Sequence, residues 1–131
     1  MKTVAQMLER KPSGVISINP GAAVFDALKL LEEKEVGAVL VMDGTHLVGI
    51  FSERDYARKI ALKGKSSSDT PVSEVMTRQV VFVTPAQTNE ECMALMTQKH
   101  VRHLPVIDQD KLVGLVSIGD VVKAIISEQQ F

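Results

Sequence analysis

Two short segments of the sequence place a serine three residues before an aspartate, after a glycine and two apolar residues. They are Gly49-Ile50-Phe51-Ser52-Glu53-Arg54-Asp55 and Gly114-Leu115-Val116-Ser117-Ile118-Gly119-Asp120. This spacing is typical of a helix start, because the hydroxyl caps the helix and the carboxylate favours its dipole. The same groups suit a nucleotide, because backbone N–H groups and a hydroxyl bind phosphate and a carboxylate accepts hydrogen bonds from a ribose diol. Both interpretations stay open for either segment alone.

The two segments belong to an internal repeat with a fixed offset of 65 residues. Residues 15–60 align with residues 80–125 without a gap, and 13 of these 46 positions are identical. The sequence therefore predicts two copies of one unit, 1–64 and 72–131, with a leading helix at the start of the first. The stretch 65–71, with its run of serines and a proline, is typical of a linker.

Each copy predicts the same order of elements, β-α-β-β-α, in an α+β fold. The predicted elements are leading helices at 4–9 and 72–76, first strands at 15–18 and 80–83, helices containing Val24–Leu31 and Cys92–Met96, and hairpins at 38–51 and 104–116. The Ser–Asp motif ends each hairpin and opens the last helix. One copy of about 60 residues hides only about 60% of its chain surface. We therefore expect the two units to pack through their sheets as a pseudo-twofold pair.

Composition excludes several classes of protein. The chain has 131 residues, of which 45% are hydrophobic and 24% charged, with a net charge of −1, so nucleic acid is a disfavoured partner. Its longest apolar runs fall well short of the roughly 20 residues that cross a bilayer. The first ten residues do not have the apolar core of a signal peptide, and Cys92 is the single cysteine, so we expect a reducing, cytoplasmic location.

The duplicated pattern resembles a tandem pair of cystathionine-β-synthase-type (CBS) domains, often called a Bateman module. The resemblance covers essentially the whole chain and rests on the leading methionines Met7 and Met76, on the strand-ending prolines Pro20 and Pro85, on the segment 101–106 and on the two Ser–Asp motifs. It implies a regulatory module, not an enzyme, whose clefts bind AMP, ADP, ATP, NAD(H) or S-adenosylmethionine. The module would signal ligand state to a partner that the sequence does not identify. It also implies a homodimer.

The resemblance further implies which residues contact the ligand. The serine and aspartate of each motif would face phosphate and ribose, the apolar residue after the glycine would line the base, and the remaining contacts would come from the other copy. Thr84 and Val101 would then complete the first cleft, and Asn19 with Val36, Gly37 and Ala38 the second. The full set is Asn19, Val36, Gly37, Ala38, Ile50, Ser52, Arg54, Asp55, Thr84, Val101, Arg102, His103, Leu115, Ser117 and Asp120.

The two predicted clefts differ in their cations and in two departures from the family pattern. Arg54 stands where the second copy has Gly119, whereas Arg102 stands where the first copy has Gly37. Each arginine is predicted either to contact a phosphate or to be an ordinary solvated surface residue. Asn19 replaces the threonine common before the proline, and Leu40 stands opposite Pro105 in the alignment. The two clefts are therefore expected to differ in ligand or affinity.

Two alternative functions compete with ligand sensing. A hydrolase would use Ser117 as nucleophile and His103 as base, but Ser117 is not in a Gly-x-Ser-x-Gly elbow and the first copy has Ala38 in place of the histidine. A purely structural dimerisation module would leave both clefts empty. The histidines and Cys92 show no spacing typical of a metal site, so no metal is predicted, and Cys92 is expected to fill core.

Overall fold

A computed structural model of the chain describes residues 2–11 and 14–129. The helices are α1 (Val4–Glu9), α2 (Val24–Lys34), α3 (Glu53–Asp55), α4 (Val72–Val75), α5 (Asn89–Lys99) and α6 (Ile118–Gln129), and a π-helical segment, Tyr56–Ala61, continues α3. The strands are β1 (Ser17–Ile18), β2 (Ala38–Asp43), β3 (His46–Ser52), β4 (His103–Asp108) and β5 (Lys111–Ser117). The chain has the α+β fold predicted from the sequence, with two units that each combine a short sheet and helices.

Packing divides the chain into two compact units that do not follow the repeat boundaries. The central unit is Ile16–Val80, and the terminal unit combines Met1–Val15 with Val81–Phe131. The leading helix α1 therefore belongs with the second repeat, and α4 belongs with the first. The boundaries at 64 and 72 therefore divide the sequence repeats. Each packed unit, in contrast, contains the leading helix that precedes the other repeat in the sequence.

The central unit is built on a three-stranded sheet in the order β1-β2-β3, in which β1 runs parallel and β3 antiparallel to β2. Its core contains Val24 and Leu31 of α2, Val39 of β2, Phe51 of β3 and Ile60, all with less than 5% of their surface exposed. The alternation of the strands and the helical spacing of α2 explain this core. The hairpin aims Ser52 out of the end of β3.

The terminal unit repeats this design on the hairpin β4-β5. Its buried residues include Val4, Cys92, Leu104, Val116 and Val121. Both hairpins shift register at equivalent points, after Val41 and after Val106. The helices α2 and α5 also end on a left-handed residue at equivalent positions, with φ of 54° at Glu35 and 56° at His100. The repeat seen in the sequence is thus a repeat in backbone detail.

The predicted first strands are shorter in the structure. Only Ser17 and Ile18 form β1, and of residues 80–83 only Val83 forms a bridge, to Val106. In the central unit Leu40 N donates to Ile16 O over 3.2 Å. The equivalent residue in β4 is Pro105, which has no N–H to donate, so the second ladder cannot extend in the same way.

The leading helices are related by a different offset from the rest of the repeat. Val4 N donates to Gln87 O, and Val72 N donates to Ala22 O. The acceptors of these two equivalent bonds are 65 residues apart, whereas the donors are 68 residues apart. Accordingly the Leu8 side chain packs against Gly114, and the Met76 side chain packs against Gly49. At this offset Leu8, and not the other leading methionine Met7, is the structural counterpart of Met76, and the change of offset from 65 to 68 means that three extra residues follow α1.

The predicted linker packs against the central unit. Val24 N and Phe25 N at the start of α2 donate to Thr70 O and Ser67 O, over 2.8 and 2.9 Å. The N-cap residue of α2 is Ala23, whose side chain cannot accept these bonds. The stretch 65–71 therefore satisfies the open end of α2 as well as joining the two repeats.

Candidate ligand site at the Ser–Asp motifs

The central motif is a closed capping box. Ser52 Oγ accepts a hydrogen bond from Asp55 N at 3.3 Å, and Asp55 Oδ2 accepts from Ser52 N at 3.0 Å and from Ser52 Oγ at 3.1 Å. Asp55 Oδ1 accepts from Thr77 Oγ1 at 3.0 Å and pairs with Lys59 Nζ at 2.9 Å. The side chain of Asp55 is only 9% exposed. Both of its oxygens are therefore engaged inside the unit.

The terminal motif forms the same reciprocal pair but a different closure. Asp120 Oδ2 accepts from Ser117 N at 2.8 Å, and Ser117 Oγ accepts from Asp120 N at 3.2 Å. Lys11, from the segment after α1, places its Nζ 2.9 Å from Asp120 Oδ2 and 2.7 Å from Leu115 O. The cation on this carboxylate thus comes from outside the repeat, whereas Lys59 lies on the helix that follows Asp55.

Electrostatics of the terminal motif follow from this contact. Burial alone would raise the pKa of Asp120, but the Ser117 backbone hydrogen bond and the Lys11 ammonium outweigh burial and lower that pKa. Burial lowers the pKa of His103, with Lys11 and Arg102 adding repulsion and Asp120 opposing them. At neutral pH the motif therefore presents an ionised carboxylate beside a neutral imidazole.

A cavity of about 290 Å³ opens beside Asp120 in the terminal unit. Its lining residues are Lys2, Met7, Arg10, Lys11, Asp120, Lys123 and Ala124. Met7 and Ala124 are buried and form its apolar floor, and the rest of the lining is charged. Asp120 is thus the residue of the predicted site that lines this cavity.

The structure brings several predicted site residues to their own motif. Ala38 pairs with Ser52 across β2 and β3, and Glu53 N donates to Gly37 O at 3.1 Å. In the terminal unit His103 pairs with Ser117, and Ile118 N donates to Arg102 O at 2.9 Å. The segments entering the second strand therefore flank the motif of the same unit. Their expected contribution to the other copy's cleft stays a prediction.

Asn19 and Thr84 lie at the other end of each unit's strands. Ile18 pairs with Val41, so Asn19 follows near the carboxyl end of β2, about 13 Å along the strand from Ala38. The exposed Thr84 has the same position after Val83. Neither residue meets the Ser–Asp motif of its own unit, and their assignment to the other motif stays a prediction.

The remaining predicted residues are placed by the hairpins. Ile50 lies opposite Leu40, and Leu115 lies opposite Pro105. Ile50 and Leu115 are half-buried, so each leaves some apolar surface two residues before the serine of its motif. Arg54 and Arg102 are exposed. Val36 and Val101 are half-buried at the entry to the second strand. These positions are compatible with ligand contact and with ordinary packing alike.

Sequence reasoning missed the partners of the two aspartates. Lys59 lies four residues after Asp55, a spacing that brings side chains together on a helix, so this pair had a signal. Thr77 and Lys11 had none, because they are distant in sequence and belong to the leading segments, where the 65-residue offset fails.

Cys92 and the possible metal ligands are the other residues whose chemistry the sequence analysis considered. Cys92 is fully buried, and burial with the nearby Glu91 raises the pKa of its thiol to about 11. Within residues 2–11 and 14–129, no group of three or more His, Cys, Asp or Glu residues is arranged to hold a metal ion. None of the helices in these ranges has the length and apolar character needed to span a bilayer.

The fold and the duplicated motif define a pair of CBS domains. The family model for the CBS domain matches residues 6–62 and again residues 72–127, and the chain belongs to this family. The two matches cover both Ser–Asp motifs.

Known relatives agree with this assignment. The mitochondrial CBS domain-containing protein CBSX3 of Arabidopsis thaliana is 42% identical over 112 residues, which are 82% of this chain and 54% of that protein. The solved structure of a proposed signal-transduction protein with CBS domains from Burkholderia ambifaria MC40-6 is 51% identical with a TM-score of 0.95, covering 99% of this chain and 98% of that one. The chain spans about half the length of the Arabidopsis relative.

A more distant structure shares the fold alone. The CBS domain pair of the protein MJ0100 was solved with 5′-methylthioadenosine and S-adenosyl-L-methionine; it is 21% identical, with a TM-score of 0.85, covering 98% of each chain.

Proposed function

We propose that this chain is a regulatory module that binds an adenosine compound, without turning it over, and passes its ligand state to a partner protein. The observation that carries the proposal is the pair of Ser–Asp motifs at equivalent hairpin ends, one of which lines a cavity through Asp120. A hydroxyl, helix N–H groups and an ionised carboxylate are the groups that bind phosphate and a ribose diol. Ser117 Oγ already accepts the Asp120 N–H, which is a capping arrangement and not that of an activated nucleophile.

The terminal motif is the stronger candidate of the two. Asp55 has both oxygens hydrogen-bonded within its unit, so a ribose there would have to displace Thr77 or Lys59. Asp120 is more exposed, at 17% of its side chain, and borders open volume. We therefore expect ligand binding at Asp120 before Asp55.

Thermal stabilisation tests the proposal directly. AMP, ADP, ATP, NAD(H), S-adenosylmethionine and 5′-methylthioadenosine form the panel, the last two because they are the compounds bound to MJ0100. A ligand at 100 times its dissociation constant should add about 2.7 kcal/mol to the free energy of unfolding. Ligand recovered chemically unchanged would support binding over turnover. An unchanged melting temperature with every compound at millimolar concentration would leave a structural module with empty clefts.

Self-association of the chain as a homodimer is part of the proposal. Along α6, Ile118, Val122 and Ile126 are 43%, 42% and 51% exposed, and a shallow groove beside α5 is lined by Met93 and Ile125. A second copy would cover this apolar helix surface. Light scattering at micromolar concentration should give twice the 14.3 kDa mass, and Ile126→Glu should restore the monomer. A monomer mass for the unmodified chain would refute the dimer.

The cellular location proposed for the chain is the cytoplasm, because its single cysteine, Cys92, is buried and forms no disulfide, as is usual for proteins of a reducing compartment. Fractionation of cells that express the protein with its native termini measures this, and recovery with the membrane or an organelle would contradict it.

A further inference from the structure

The cavity beside Asp120 concentrates positive charge. Four cationic residues, Lys2, Arg10, Lys11 and Lys123, line a volume of about 290 Å³ with one carboxylate. A second carboxylate, Glu128, accepts a hydrogen bond from the Lys2 backbone N–H nearby. The local balance is therefore positive in a chain whose net charge is −1.

Of these four cations, Lys11 is the one whose side chain pairs with a carboxylate among the described residues. Lys11 is held by Asp120 and by Leu115 O. Arg10 makes a long contact of 3.5 Å with Ser127 Oγ. Among the residues that the structure describes, the ion pairs do not include the ammonium groups of Lys2 or Lys123. Like charges that outnumber the carboxylates around a cavity repel each other, and a bound anion relieves that repulsion.

The central unit repeats this charge only in part, because Arg58 stands at the position of Lys123 and Arg78 at the position of Arg10. Asn89 N donates to Lys2 O as Val24 N donates to Thr70 O, so Lys2 corresponds to Thr70, which is uncharged and bonds Ser66 O with its hydroxyl. The extra residues after α1 supply Lys11. Lys2 and Lys11 are thus the two cations of this cavity that the central unit does not have at corresponding positions.

We propose that this cavity binds the phosphate of a phosphorylated ligand, with Lys2, Arg10 and Lys123 as its anchors. Lysine and arginine are the side chains that bind phosphate oxygens most strongly, through charge-assisted hydrogen bonds. Asp120 does not repel the ligand strongly, because Lys11 offsets its charge, and its carboxylate suits the hydroxyl groups of an attached ribose. The inference rests on the proposed function only for the source of the phosphate, which is either a nucleotide or a free oligophosphate.

The proposal separates the members of the adenosine panel. ATP and AMP carry the phosphate that the cavity requires, whereas adenosine and 5′-methylthioadenosine carry none, and S-adenosylmethionine brings a sulfonium cation towards four others. We expect phosphorylated compounds to bind at least tenfold more tightly than adenosine, and their affinity to weaken as salt screens the cavity.

Calorimetric titration of the full chain with ATP, AMP, adenosine and sodium tripolyphosphate tests this. Lys123→Gln and Arg10→Gln should each weaken ATP binding about tenfold, because each removes one charged hydrogen bond. Both side chains are exposed, so the variants should fold with unchanged melting temperature. The matched control is Arg58→Gln, the exposed cation at the position of the central unit that corresponds to Lys123, and it should leave ATP affinity unchanged.

The outcomes distinguish this inference from the proposed function. If tripolyphosphate binds and weakens in Lys123→Gln while no nucleotide binds, the phosphate site stands and the adenosine function falls. If adenosine binds as tightly as ATP and Lys123→Gln changes neither, the adenosine function stands and the phosphate site is wrong. If neither ATP nor tripolyphosphate binds, the phosphate site is also wrong.

Discussion

The two Ser–Asp motifs share their sequence and their capping geometry, yet they are closed from different directions. Asp55 is held at one oxygen by Ser52 and at the other by Thr77 and Lys59. Asp120 is held by Ser117 and by Lys11, and borders a cavity. The difference shows that duplicated motifs diverge through the residues that contact them while the motif residues stay the same. Here these contacts come from the two leading segments and from Lys59, whose position in the terminal unit is Ala124.

The largest expected difference lies at the glycines that precede the motifs. A Cβ at position 49 would lie 2.9 Å from the backbone atom Thr77 O and 2.6 Å from Met76 Sδ, whereas at position 114 it would meet the end of the Leu8 side chain at 2.7 Å. A backbone cannot move as cheaply as a leucine methyl. Gly49→Ala should therefore cost about 3 kcal/mol of unfolding free energy, and Gly114→Ala about 1 kcal/mol.

Urea denaturation of both glycine variants measures this difference. Equal losses would mean that the two leading segments press on their sheets with the same stiffness, and the proposed contrast between them would fail.

Next in size is the exchange of each aspartate for asparagine. Asp55→Asn removes the charge that receives Lys59 and should cost about 2 kcal/mol of stability, with no effect on ligand affinity at Asp120. Asp120→Asn should cost less stability but weaken ligand binding tenfold to a hundredfold, which corresponds to about 1.5–3 kcal/mol. Calorimetry and urea denaturation of both variants measure the two quantities. If neither variant changes ligand affinity, both aspartates are helix caps and nothing more.

A smaller effect is expected at the lysines. Lys11→Met and Lys59→Met each remove one cation from a motif carboxylate, and their side chains are 33% and 42% exposed, so solvent screens both pairs. We expect losses of about 1 kcal/mol for Lys11 and about 0.5 kcal/mol for Lys59, which is the more exposed. Thermal denaturation at low and high salt checks both values. A larger loss for Lys59→Met would contradict this order.

Much of this comparison could be predicted from the sequence, and the part that could not has a physical reason. The hairpins, the capping serines and the α+β class follow from alternation, spacing and a repeat of 65 residues, and the structure confirms them. Both first strands were predicted too long, and in the second copy the physical reason is Pro105, which has no N–H to donate to the neighbouring strand. Lys11 and Thr77 reach the motifs through packing between segments distant in sequence, which no local pattern reports.

The smallest predicted effect is a dependence of stability on pH. It belongs to the terminal unit, because His103 pairs with Ser117 there, whereas the central unit has Ala38 at the corresponding position. Burial, with repulsion from Lys11 and Arg102 and opposed by Asp120, lowers the pKa of His103 below its ordinary 6.5. As pH falls below 6.5, the folded chain then binds fewer protons than the unfolded chain. The free energy of unfolding therefore keeps its full value above that pH and decreases on acidification towards the folded pKa. His103→Gln should lose less stability between pH 7 and pH 5 than the unmodified chain, and His46→Gln, at an exposed site in the central unit, is the control.

NMR titration of the His103 imidazole identifies the cause of that pH dependence. In the unmodified chain the ring should titrate below 6.5, and in Lys11→Met its pKa should rise, because the variant removes one repelling charge and leaves Asp120 without its cation. Lys59→Met, which changes the equivalent carboxylate contact of the central unit, should leave the His103 titration where it was. A His103 pKa at or above 6.5, or one that Lys11→Met does not move, would show that the Lys11 ammonium does not act on this motif in solution, and the contrast between the two closures would then rest on Thr77 and Lys59 alone.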